Sequence, residues 1–202
     1  MRRLNNCLEN IKYTNIPIWF MRQAGRYLKE FQEIRKKNPN FINLCLNEKL
    51  VNEISQQPIK RFDLDAIILF SDILIIPYGL GQKVSFKKDL GPILGNLDLD
   101  LIIKINKIDF VKRVYPVYKS ISLLKNSMNY RRKSLIGFAG APWTLLLYMI
   151  HGQSPKSGFN KNKIFRDKYL LDRLILKLED FICLHINKQI EAGANVIQIV
   201  LT

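Results

Sequence analysis

The chain has 202 residues, 48% of them hydrophobic, and a formal net charge of +15. That length and apolar content are enough to build a sizeable core in one domain, or in part of one. No apolar run reaches about 18 residues, which excludes a transmembrane helix, and no apolar stretch follows Met1-Arg2-Arg3, which argues against a secretory signal.

The three cysteines, Cys7, Cys45 and Cys183, are far apart and show neither CxxC nor Cys/His ligand spacing. Reduced thiols in a cytosol and no metal site are therefore expected. The positive charge admits a polyanionic partner: nucleic acid, an anionic membrane, or a small molecule with many carboxylates. It equally admits a drift of composition toward Ile, Lys and Asn, so charge alone decides little.

In chain order, Ile16-Pro17-Ile18-Trp19-Phe20 reads as a buried strand. Helical stretches follow over 28–37 and 47–62. Ala66-Ile67-Ile68-Leu69-Phe70 and Leu135-Ile136-Gly137-Phe138-Ala139 read as strands. Residues 169–192 have helical spacing, Gly193 ends that helix, and 195–200 form another buried strand. Apolar strands between helices predict an α/β protein with a parallel sheet covered on both faces. About four strand–helix units are counted, half of a (β/α)₈ barrel, with residues 1–202 as the N-terminal portion of that one domain. A small open sheet ending on the last strand is the alternative. Half a barrel exposes apolar strand edges, so this length alone is expected to fold poorly and to be inactive.

Arg22 and Arg26 follow a strand end, where α/β proteins carry their ligand loops. Gln23, Ala24 and Gly25 lie between them, and small residues allow close approach of the backbone to a ligand. If this segment is helical, both guanidiniums share one face and suit a substrate with several carboxylates. Alone, such a pair reads as a solvated basic face. Asp72 ends the next strand and either caps a turn or faces the ligand loops. The small residues of Gly137-Phe138-Ala139-Gly140-Ala141-Pro142-Trp143-Thr144 again allow close approach to a ligand, and Tyr148 offers a phenol one turn after Thr144. His185, on an apolar helical face, reads as a satisfied core residue. Gly79-Leu80-Gly81 lacks the rest of a dinucleotide fingerprint.

In this order, residues 17–27, 64–74, 137–149 and 191–199 resemble the uroporphyrinogen decarboxylase family. The resemblance implies a (β/α)₈ barrel, usually a cytoplasmic homodimer, that needs no metal or organic cofactor. It implies decarboxylation of the four acetate side chains of uroporphyrinogen III to methyls, giving coproporphyrinogen III in porphyrin and haem biosynthesis. Residues 22–26 and Tyr148 would bind substrate, Arg22 would also be a candidate proton donor, and Asp72 would accept hydrogen bonds from the pyrrole NH groups. Two departures stand out. His151-Gly152-Gln153 replaces an acidic residue followed by glycine. Val200-Leu201-Thr202 replaces Phe-Asp-Ser/Thr, which leaves two readings: Thr202 at the family's Ser/Thr ligand position, or residues from further on after a deletion.

Two competing readings follow from other features. A basic nucleic-acid-binding α/β protein would explain the charge, but the lysines are dispersed and no helix-turn-helix, RRM or zinc spacing is present. A methyltransferase on the same barrel would need a metal-held thiolate. No nucleic-acid or membrane partner is expected.

Overall fold

A computed structural model describes residues 2–11, 15–87, 90–127, 132–153 and 167–201. In chain order the elements are α1 (Arg3–Leu8), α2 (Lys29–Lys37), α3 (Phe41–Cys45), α4 (Glu48–Arg61), β1 (Ala66–Ile68), α5 (Ile75–Gly79), β2 (Val84–Lys87) and β3 (Gly91–Leu94). They continue with α6 (Leu99–Lys104), α7 (Lys107–Asn126), β4 (Ser134–Gly140), α8 (Pro142–His151), α9 (Lys168–Ala192) and β5 (Val196–Val200). Asn40, Asn47, Asp98, Asn106 and Asp167 each cap a helix, the side-chain oxygen accepting the backbone N–H three residues on. Gly193 ends α9 at φ +120°, a backbone conformation that glycine tolerates best.

β1, β4 and β5 form a parallel sheet in that order, and β2 and β3 form a separate antiparallel hairpin. Strands that neighbour each other in sequence order, joined by helices, have the arrangement of consecutive units of a (β/α)₈ barrel. Alternate residues face opposite ways. Ile67, Leu69, Leu135 and Ala139 pack with Phe110, Val114, Ile121, Leu178 and Phe181 of α7 and α9. On the inner face Ala66, Ile68 and Ile136 meet Leu4 of α1, with Trp19, Phe138 and Val196 against them.

The expected strand at residues 16–20 does not form. Its Ile18 accepts one backbone hydrogen bond, from the Asp65 N–H at 2.8 Å, and donates its own N–H to the Asp65 carboxylate at 2.9 Å. Pro17 has no N–H to give. The rest of that edge of β1 is taken by a side chain: Gln23 Nε2 donates to the Ala66 carbonyl at 2.9 Å, and Gln23 Oε1 accepts the Ile68 N–H at 3.3 Å. Ile16, Ile18 and Phe20 are therefore exposed while Trp19 packs inward. Of the four expected strands, three pair in the parallel sheet and the fourth is an extended segment.

His185 is the satisfied core residue its position suggested. It is buried in α9, and its Nδ1 lies 2.9 Å from Tyr118 Oη. Burial pushes it down to about 4 from an ordinary 6.5. The folded protein therefore keeps a neutral ring while the unfolded chain binds a proton. Stability from this group is complete above pH 6.5 and declines as pH falls toward 4, by about 3 kcal/mol in all. Comparing urea midpoints of His185→Phe and wild type across that range checks it: the variant should lack this acid-side loss, and parallel curves would exclude it.

Candidate active site

Most of the candidate residues gather beyond the C-terminal ends of the three strands. A cavity of about 370 Å³ opens there, with Arg22, Gln23, Ala24, Asp72 and Tyr148 in its lining. A larger hollow of about 610 Å³ runs between α7 and α9 and includes no residue of the strand ends.

Asp72 is placed by the backbone around it. After β1, the Leu69 N–H still reaches the Ile136 carbonyl at 3.0 Å, and then the chain leaves the sheet. The Phe70 N–H turns to Ser55 Oγ at 2.8 Å, and that hydroxyl donates to the Val51 carbonyl at 2.7 Å. Asp72 Oδ1 then accepts the Leu74 N–H at 2.9 Å, at the start of α5. Turn capping and facing the ligand loops, two alternatives in the sequence, are both true of this residue. Burial raises the Asp72 carboxyl to about 6, against the opposing pull of the Leu74 N–H and the Arg22 charge. A carboxylate held against desolvation is suited to a ligand that brings N–H donors or positive charge.

The arginine segment is not helical, so Arg22 and Arg26 do not share a helix face. Arg22 lines the main cavity and also a smaller adjoining one with Phe20, Tyr27 and Phe62. Gly25 and Arg26 are absent from both linings. The Arg26 carbonyl accepts Gln32 Nε2 at 2.6 Å, and the Gly25 carbonyl accepts the Leu28 N–H at 3.0 Å, so this stretch turns away toward α2. Gln23 reaches the cavity, but both ends of its amide are used on β1. The Tyr27 hydroxyl donates to the Gln23 carbonyl and fixes the turn. Of the residues expected to bind substrate, Arg22, Gln23, Ala24, Asp72 and Tyr148 meet at the cavity, whereas Gly25 and Arg26 lie off it. Thr202 lies outside the described residues.

Two glycines of β4 leave space that neighbouring side chains fill. A Cβ on Gly137 would sit 2.5 Å from Gln189 Oε1, and one on Gly140 would sit 2.7 Å from Leu145 Cδ2. They let α9 and α8 approach the strand. Tyr148 reaches the cavity from α8. Periodicity does not mark Phe41, Phe86 and Pro92, which line the cavity from α3 and the β2–β3 hairpin. Phe31, Phe70, Phe41 and Phe86 form a chain of rings with centroids 5.5, 5.7 and 4.5 Å apart, which ties that hairpin to α2 and α3. The alternation in Val84-Ser85-Phe86-Lys87, with Gly91 ahead, is the available signal for the hairpin.

Fold and site together define an α/β barrel-type chain with a carboxylate and an arginine at the ligand end of its strands. The family model described as uroporphyrinogen decarboxylase (URO-D) matches residues 1–201. The chain belongs to the uroporphyrinogen decarboxylase family. It is 41% identical over 186 residues to the uroporphyrinogen decarboxylase of Campylobacter jejuni, covering 91% of this chain and 54% of that protein. It is 39% identical to those of Agrobacterium fabrum and Rickettsia canadensis, covering 98% of this chain and 58% of each. The chain thus spans little more than half the length of these relatives. A methyltransferase from Methanosarcina mazei shares the fold, with a TM-score of 0.74 at 17% identity, over 98% of this chain and 57% of that one. Among the described residues no helix is long and apolar enough to cross a membrane.

Proposed function

We propose that the protein carrying this chain decarboxylates the four acetate side chains of uroporphyrinogen III, giving coproporphyrinogen III, as a cytosolic homodimer without metal or organic cofactor. The observation that carries this reading is the desolvated Asp72 carboxylate in a cavity that Arg22 also lines. Arg22 pairs with a substrate carboxylate and is the candidate proton donor. Asp72 accepts hydrogen bonds from the pyrrole N–H groups.

A proton added to a ring carbon makes the pyrrole cationic, and the fixed carboxylate lowers the energy of that cation. The acetate C–C bond then breaks, its electron pair flows into the ring, and carbon dioxide leaves. Protonation of the resulting methylene and loss of the ring proton restore the pyrrole with a methyl group. Each acetate consumes one proton and releases one carbon dioxide, and the substrate serves as its own electron sink. The described cavity has one wall of strand ends, so the 202 residues alone are expected to be inactive. The test is incubation of the full-length protein with uroporphyrinogen III and chromatography of the oxidised products. Stepwise hepta- to tetracarboxylate products support the reading; unchanged octacarboxylate at all enzyme concentrations rejects it.

A further inference from the structure

β4 runs four residues beyond its last pairing with β1, from Ile136 opposite Ile68 to Gly140 opposite Val200. The Ile136 carbonyl faces β1 and the Leu135 carbonyl faces β5. Two residues after Ile136, Phe138 therefore turns its N–H and C=O toward the side that β1 has left. A ladder continued there would draw residues 70–72 against β4 and close the space between Asp72 and Phe138. Buried, unpaired backbone groups would be costly instead.

Gln189 of α9 resolves this. It is fully buried; its Oε1 accepts the Phe138 N–H at 3.0 Å and its Nε2 donates to the Phe138 carbonyl at 3.0 Å. The amide thus supplies the donor and the acceptor of a missing strand residue. Gly137 makes room for it, since a Cβ there would lie 2.5 Å from Oε1. Gln23 likewise closes the other edge of β1, there bridging the Ala66 carbonyl and the Ile68 N–H.

We propose that Gln189 is a positioning residue: by closing the free edge of β4 it fixes the Phe138 wall and keeps the Asp72 loop apart from it. This rests on the reading that the cavity takes a porphyrinogen. The test is the steady-state kinetics of uroporphyrinogen decarboxylation by full-length wild type, Gln189→Leu and Gln189→Glu across the neutral pH range, with thermal melts to establish folding. Gln189→Leu is expected to lose about tenfold or more in kcat/KM. In Gln189→Glu, the protonated acid offers the same donor and acceptor as the amide, so its ratio to wild type should rise as pH falls. A folded Gln189→Leu with wild-type kcat/KM, or a flat Gln189→Glu ratio, overturns the proposal. If Gln189→Leu does not fold, the Gln189→Glu ratio decides. No turnover by wild type overturns the functional reading, and this proposal with it.

Discussion

Asp72→Asn is expected to lose at least about 10²-fold in kcat and to gain stability at neutral pH. The asparagine Oδ1 can still accept the Leu74 N–H, so the turn survives while the charge goes. Asp72 sits at about 6 in the folded protein against an ordinary 3.8. The folded state therefore holds its proton more tightly than the unfolded chain does. The resulting penalty is absent below pH 3.8, grows as pH rises, and is complete above 6, where it reaches at most about 3 kcal/mol. Urea unfolding of both proteins should show a stability difference that grows from about pH 4 to about pH 7. An equal difference at both ends would separate Asp72 from that pH dependence. The slope from His185 instead raises stability with pH, so the Asp72 penalty, which lowers it over nearly the same range, partly cancels it in wild type. Activity should follow Asp72 alone, with kcat/KM falling about tenfold per pH unit below 6.

Arg22→Ala should cost about 10- to 100-fold in kcat/KM, as expected for a lost charge-assisted hydrogen bond. Arg26→Ala should cost far less, because Arg26 lies outside the cavity. Arg22 also pulls the Asp72 carboxyl down. Removing it should therefore move the acid limb of the pH profile upward, whereas Arg26→Ala should leave that limb in place. Equal losses in the two variants would mean that the segment reorganises around the substrate.

The strands of the parallel sheet and the helices α4 and α9 are legible in the sequence because each has a sustained apolar pattern, whereas α7 and the β2–β3 hairpin are not among the stretches that pattern marked. β1, β4, β5, α4 and α9 fall where that pattern places them, and Gly193 ends α9 as expected. The segment at 16–20 departs from its pattern because side chains, not a backbone ladder, occupy the edge of β1 beside it. Arg22 and Asp72 are legible from their places after apolar runs. The direction of Arg26 is not, because it depends on a turn fixed by Tyr27 and Gln32 rather than on periodicity. Gln189 reads as one more residue of an amphipathic helix, since the backbone group it satisfies belongs to a strand far away in sequence.

A structure of the full-length protein with coproporphyrinogen III bound tests the central claim most directly. The macrocycle should lie in the cavity beyond the strand ends, with the Asp72 carboxylate about 3 Å from pyrrole nitrogens and Arg22 on a side-chain carboxylate. Product seated elsewhere, with Asp72 contacting no pyrrole nitrogen, would contradict it.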